Sequence, residues 1–398
     1  MDTTIKNELY NVERLTAFRH DLHKNPELAY TEVRTGSKII EYLNSLGVSN
    51  ENIKSAAKTG LIVDIKGKGP ASGKPFCMAL RADMDALPIK EINPDIDYIS
   101  TNEAAHMCGH DMHMTCLLGG TSLIMEKIDQ IPCDKTLRLL FQPAEETIGG
   151  AFCMIQEGAL IGVDEVYGFH NRPWGKPGKL FVKPGYVMAR CTSLEVTIFG
   201  KGGHASTPEL LNDPLQPAVD IYREMRGLIK RYKEKDDKFV LCMPMIKTGK
   251  AFNAISDTCH FEGILRSFND DTVVEILEDL RKIIEKACIK FGCTFDMSLG
   301  SSYPAVNNTE KETENVIRVA KKVFGEENVA PGALPVYGGE DFSYYNKEKP
   351  GCFFFLSSCR NDGDILHTCN FNPHDDLIPL ASNMWYRLVE DRFGVNWK

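Results

Sequence analysis

No apolar run in this 398-residue chain approaches the ~18 residues that a membrane-spanning helix needs. The longest candidates, around Phe76–Leu80 and Phe353–Leu356, have the size of buried strands. The first 24 residues are a charged amphipathic stretch without the apolar core of a signal peptide, so a cytoplasmic location is expected. There is no basic stripe: 46 Lys and Arg stand against 55 Asp and Glu, a net charge of −9, which argues against nucleic-acid and anionic-membrane partners. The 13 cysteines are odd in number, scattered and without a CxxC pair, so they read as reduced thiols. No internal repeat or low-complexity segment occurs. A composition of 43% hydrophobic and 25% charged residues excludes disorder and collagen-like structure.

What is present is a long alternation of strand and helix patterns. A chain of this length exceeds the ~250–300 residues at which single cores stop growing, so two domains are expected. Helical spacing runs from Thr31 to Leu46, with Gly47 as its stop. Strands are predicted at Leu61–Ile65, Phe76–Arg81, Leu137–Phe141 and Glu165–Phe169, with a helix from about Met112 to Ile128. This order indicates an α/β sandwich on a largely parallel sheet, with the chemistry on loops at the strand ends. From about Cys191 the order becomes strand (Leu194–Phe199), helix (Pro214–Tyr232), two strands (Phe239–Ile246, Thr258–Arg266), helix (Thr272–Phe291) and strand (Thr294–Leu299). That is the β-α-β-β-α-β plan of a ferredoxin-like unit. The α/β pattern then resumes with a helix near Glu310–Phe324, a strand at Cys352–Leu356 and a helix near Ile378–Phe393. The expected architecture is a mixed-sheet α/β domain formed by residues 1–188 and 303–398, with a smaller α+β domain, 189–302, inserted in it.

Polar residues gather in a few short stretches at strand ends. Asp83 and Asp85, in Arg81–Pro88, are two apart on an extended chain and can aim at one point; a lone Asp-x-Asp is otherwise a solvated turn. His106, Cys108, His110 and His113 crowd into eight residues of a chain with only ten histidines. Thiolate and imidazole are ordinary ligands of zinc and its transition-series neighbours, and the flexible Gly109 lets Cys108 and His110 converge. His113 fits equally as an outer partner or a packing residue. Glu145 and Glu146 follow an apolar strand; adjacent carboxylates repel and call for a compensating cation, and their side chains diverge, leaving one for the cation and one for proton transfer. His170 and His367 end further apolar stretches. Each alone is an ordinary structural histidine, but the same chemistry recurs at four separate strand ends.

These blocks, in this order and over nearly the whole chain, resemble the aminoacylase and glutamate-carboxypeptidase superfamily of two-metal peptidases. More closely they resemble its amidohydrolase branch: hippurate hydrolases, indole-acetyl-amino-acid hydrolases and N-acetyldiaminopimelate deacetylases. The resemblance rests on residues 81–88 (RADMDALP), 106–113 (HMCGHDMH), 141–146 (FQPAEE), 200–208 (GKGGHASTP), 338–342 (GGEDF) and His367 before Asn370-Phe371. It implies two divalent metal ions, manganese, zinc, cobalt or nickel, held by Cys108, His110, Glu146, His170 and His367. It further implies Glu145 as general base, Asp83 as a second catalytic acid that orients the site, and His204 as oxyanion donor supplied across a homodimer interface. Asn253 and Arg266 resemble the positions that bind a free α-carboxylate. The inserted domain would serve as lid and dimerisation element, and the substrate would be a small N-acyl amino acid, with N-acetyldiaminopimelate or a dipeptide as alternatives. The chain departs from the wider superfamily in having Asp83 where a metal-binding histidine is usual, the Cys108–His110 segment in place of a bridging aspartate, and Glu209 where a histidine often follows the proline. Two other classes stand beside this reading. A cysteine hydrolase with Cys108 as nucleophile leaves Glu145, Glu146 and His367 without a task. A non-catalytic metal-binding protein leaves only Glu145 without one.

Overall fold

The computed structural model describes residues 9–147, 149–235 and 238–397; the first eight residues of the predicted amphipathic N-terminal stretch lie outside them. In chain order the first part contains α1 (Val12–Lys24), α2 (Val33–Ser45), β1 (Ile53–Ala56), β2 (Gly60–Lys66), β3 (Phe76–Asp83), α3 (His110–Met125), β4 (Lys135–Gln142), α4 (Gly150–Gln156) and β5 (Glu165–Arg172). Two short strands, β6 (Leu180–Phe181) and β7 (Gly185–Met188), lead to β8 (Arg190–Phe199), β9 (Gly203–His204), α5 (Leu215–Lys233), β10 (Phe239–Thr248), β11 (Ala254–Ile255), β12 (Thr258–Ser267), α6 (Asp270–Lys290) and β13 (Thr294–Tyr303). The chain continues with β14 (Val306–Asn308), α7 (Glu310–Phe324), β15 (Val329–Ala330), α8 (Ser343–Glu348), β16 (Gly351–Ser357) and α9 (Leu377–Phe393).

The chain divides into two compact units. One takes the described residues up to Val187, Val306–Leu334 and those from Asp341 onward; the other takes Met188–Ala305 and Pro335–Glu340. The return of Pro335–Glu340 to the smaller unit has no signature in the sequence.

In the large unit, eight strands line up as β1-β2-β4-β3-β5-β16-β6-β15. The centre is parallel, β4 with β3, β3 with β5 and β5 with β16, while β1/β2, β2/β4 and β16/β6 are antiparallel. Every residue of β16 is buried, because helices cover both faces of a central strand, and this permits the unbroken apolar run that includes Phe353, Phe354 and Phe355. α3 is buried nearly all round, as expected of a helix without a polar face, and packs on α9. One cluster joins Leu15, Ile39, Leu80, Leu117, Phe141, Phe354 and Trp385 into the main core.

Arg19 of α1 is fully buried in this core. Its Nε donates to Asp111 Oδ2 at 3.1 Å, and its other nitrogens donate to Asn372 and Asp375. The same Asp111 oxygen meets His23 Nδ1 at 2.9 Å, and His23 Nε2 meets Glu91 at 2.9 Å. Burial opposes the charge on His23, but hydrogen bonds to Asp111 and Glu91 raise its pKa. Removing one member of such a group strands an uncompensated buried charge, so Arg19→Met is expected to destabilise the protein by ~3–5 kcal/mol. A urea midpoint equal to that of wild type would refute this expectation.

The small unit carries the β-α-β-β-α-β order as an antiparallel sheet, β10-β12-β8-β13. α5 and α6 bury Ile221, Met225, Leu228, Ile276, Leu280 and Ile284 against it. α6 starts where the Asn269 side chain accepts the amides of Asp271 and Thr272, with acidic residues in the first turn. All 13 cysteines are free thiols. Among the described residues no helix is long and apolar enough to cross a membrane.

Candidate metal centre

Five loop or strand-end segments of the large unit bring their polar residues together. β3 delivers Asp83 and, just beyond its end, Asp85. The turn before α3 delivers Cys108 and His110. β4 runs into Glu145 and Glu146, β5 ends near His170, and the loop before α9 brings His367. The amide of His367 donates to the carbonyl of Met107 at 2.8 Å, which sets this distant loop beside Cys108.

Cys108 lies at the middle. Its Sγ is 3.2 Å from His170 Nε2 and 3.2 Å from His367 Nε2. Two groups of donor atoms, each within 4.8 Å of one another, share it: Cys108, His110 and His170 form one, and Cys108, Glu146 and His367 the other. A third group, His110, Glu145 and Glu146, overlaps both.

The histidine tautomers follow from their partners. Asp85 and Asn171 present carbonyl oxygens to the Nδ1 atoms of His110 (2.8 Å) and His170 (2.5 Å), so in the neutral form of each ring Nδ1 carries the proton and Nε2 keeps the lone pair. His110 Nε2 and Glu146 Oε1 are buried and make no hydrogen bond. Buried polar atoms are rarely left so. These two atoms, beside a thiol and two further imidazoles, fit a pair of transition-series or zinc-like cations in donor type.

The electrostatics of the chain alone point the same way. Burial pushes the Cys108 thiol well above its ordinary range, and the carboxylates of Glu146 and Glu145 add to the effect. Burial disfavours charge on His110, yet Asp83, Asp85 and Glu146 outweigh it and raise its pKa to about 10. His170 is held well below its usual value by burial, with His113 and Arg172 adding to it. Burial works against the Glu146 carboxylate, but His367 and His110 bring its pKa down. Without added positive charge the cluster retains protons on Cys108 and His110 at neutral pH.

Asp83 is fully engaged. Oδ1 takes the His113 Nδ1 proton at 2.6 Å and Oδ2 accepts from Arg81 at 2.7 Å, while His110 Nε2 is 3.6 Å away. Burial would raise its pKa, but His110, His113 and Arg81 drive it well below the ordinary carboxylate range. Asp83 and Asp85 do converge, on the two edges of the His110 ring; Asp85 Oδ1 is 3.4 Å from Nδ1. Arg81 also donates to Gln142 and Asp341 at 2.8 Å each, binding the ends of β3 and β4 to the segment before α8.

His113 is a partner rather than a bystander. Its Nε2 accepts the Asn171 amide at 2.9 Å, and the Asn171 side chain donates to the Cys108 carbonyl at 2.7 Å. Gly109, at φ +87°, makes room for that asparagine: a Cβ there would lie 2.3 Å from Asn171 Nδ2. Asn171 and Arg81 carry no sequence signal beyond their place beside predicted ligands.

The remaining predicted residues belong to the small unit. His204 is exposed in β9, which pairs with β11, and Ala205 donates to the Asn253 carbonyl at 3.0 Å, so His204 and Asn253 are neighbours. The Ser206 amide donates to His204 Nδ1 at 3.2 Å, leaving the proton on Nε2. Arg266 stands in β12 between Val240 and Cys191; burial lowers its pKa, and it forms no ion pair among the described residues.

Against known proteins, residues 79–391 match the profile of peptidase family M20/M25/M40. Thermostable carboxypeptidase 2 of Saccharolobus solfataricus is 32% identical over 387 residues, covering 95% of each chain. N-acetyldiaminopimelate deacetylase of Listeria monocytogenes is 31% identical, over 94% of this chain and 98% of its own. Among solved structures, a dinuclear metal-binding M20 peptidase of Bacillus subtilis superposes with a TM-score of 0.80 at 28% identity, over 97% of this chain and 99% of its own.

Proposed function

The chain belongs to peptidase family M20/M25/M40, and from that premise we propose that it hydrolyses the amide bond of N-acyl amino acids with two divalent cations. The observation that carries this reading is the pair of donor groups meeting at Cys108, where the buried His110 Nε2 makes no hydrogen bond and Glu146 Oε1 has His367 Nε2 near it, at 3.3 Å. Cys108, His110 and His170 would hold one cation, and Cys108, Glu146 and His367 the other. Manganese, zinc, cobalt and nickel all suit this mixture of sulfur, nitrogen and oxygen. When bound, such cations polarise a carbonyl and make water acidic near neutral pH.

The chain's own residues supply the remaining steps. Glu145 takes the proton of the attacking water and hands it to the departing amine. Asp83, fixed between Arg81 and His113, keeps negative charge beside His110 and orients that ring. His204, with its proton on Nε2, donates to the oxyanion that develops on the acyl carbon. Arg266, which forms no ion pair among the described residues, and Asn253 receive the free carboxylate of the amino acid. The carried-over assembly is a homodimer in which His204 acts across the interface.

Chelation should abolish hydrolysis of hippurate, N-acetyl amino acids, N-acetyldiaminopimelate and dipeptides. Adding back each of the four metals should restore it, and the ranking of substrates would identify the acyl group. Activity that survives chelation but is lost on alkylation of Cys108 would instead establish a cysteine nucleophile.

A further inference from the structure

Three consecutive amides, those of Ala144, Glu145 and Glu146, point at two buried carboxylates. Glu32 Oε1 accepts from Ala144, Asp85 Oδ1 from Glu145 and Asp85 Oδ2 from Glu146, each at 3.0 Å. The turn they hold is strained, since Ala144 is a non-glycine residue at φ +56°. Its carbonyl is bound in turn by the Gly150 amide at 3.2 Å. Gly150 itself is pressed against the turn, and a Cβ there would stand 1.8 Å from the Pro143 carbonyl oxygen.

Both carboxylates are braced. The Thr59 hydroxyl donates to Glu32 Oε2 at 2.6 Å. The start of α2, directly after Glu32, is fixed by Glu27, whose carboxylate accepts the amides of Arg34 and Thr35 at 3.0 and 2.7 Å. The Glu27 carbonyl in turn accepts the amide of Ala86, the neighbour of Asp85, at 2.9 Å. The supports of the two carboxylates are therefore tied to each other before either reaches the turn.

We propose that Glu32 is a positioning residue for catalysis, holding Ala144 in its left-handed conformation so that the adjacent side chains of Glu145 and Glu146 diverge to their separate tasks. The tasks are those of the proposed function; the clamp itself is a property of the backbone. Buried amides that converge in this way require an acceptor, and misplacing a reacting group by ~1 Å costs on the order of 10²-fold in rate.

The clamp is tested with four variants. Glu32→Ala should speed hydrogen exchange at the amides of residues 144–146 at least ~10-fold in the metal-free protein, leaving α3 and β3 as protected as before. Its kcat on the best N-acyl amino acid substrate should fall ~10–100-fold, with KM within about threefold of wild type. Glu32→Gln, which keeps an oxygen for Ala144, should stay within about threefold of wild type in both measurements. Adding Ala144→Gly to Glu32→Ala should recover part of the lost turnover, because glycine takes the left-handed conformation without strain; a loss due only to a weakened core would not be recovered. Should Glu32→Ala fail to fold, Glu32→Asp withdraws the carboxylate by one methylene and carries the same test. Unchanged exchange at the turn, or wild-type kcat in Glu32→Ala, would overturn the inference, as would a loss that Ala144→Gly leaves untouched. A wild-type protein inactive on every N-acyl amino acid would count against the proposed function, while the exchange experiment would still decide on the clamp.

Discussion

Glu145→Gln is expected to retain its cations and lose turnover by ~10²–10⁴-fold, the range for removing a general acid–base from its transition state. Glutamine preserves the size of the side chain and one acceptor oxygen, and the backbone hold of Asp85 on residue 145 is unaffected. On the proposed mechanism, what would disappear is the capacity to carry a proton from water to the leaving nitrogen. Glu145 is buried, so bulk water is poorly placed to replace it. Metal analysis should return the wild-type content. An empty centre in the variant would make residue 145 a ligand, and activity near wild type would remove it from the reaction.

The second large effect concerns Cys108. With the thiol pushed up by burial and His110 raised to about 10, both groups hold protons at neutral pH in the metal-free chain. A cation binds thiolate and neutral imidazole, so loading must expel both protons, and affinity should climb as pH rises from 6 towards about 10. Calorimetry in buffers of different ionisation enthalpy counts those protons. Cys108→Ser should release one proton fewer and lower metal affinity by ~10²-fold or more, since a serine hydroxyl stays protonated where the thiol ionises. Equal proton release and full occupancy in Cys108→Ser would refute its place as the shared ligand. Loss of turnover with both cations bound would revive the nucleophile.

Much of the fold was legible because its periodicities are local. Phe353–Phe355 reads as a strand buried on both faces, and the spacing of α5 and α6 among four long strands reads as a ferredoxin-like unit. Strand direction is not local: the antiparallel pairing of β2 with β4 depends on where the chain turns outside the strands, and the two-residue strands β6, β9, β11 and β15 are too short for any pattern. The cluster of candidate ligands was visible as chemistry, with histidines, only ten in the whole chain, crowding with cysteine and acids at strand ends. Its supports were hidden. Glu32 looks like one more acid at a helix start, 112 residues from the amide it holds. Asn171 looks like a strand residue until its side chain is found in the space that Gly109 leaves. Hydrogen bonds to backbone atoms impose no pattern on the sequence between the partners.

The separation of the shared thiol from its partners sets an order of manufacture. Cys108 lies 62 residues before His170 but 259 before His367. At about 5–20 residues per second, a ribosome makes the second imidazole roughly 10–50 s after the cysteine. The group containing His110 and His170 thus has all its members early, while the group closed by His367 waits for the intervening ferredoxin-like unit and β16 to be synthesised. For most of that interval a nascent chain has four of its five proposed donors, so if these residues hold the cations, the availability of metal during translation, and not only after it, would bear on which ion is captured first.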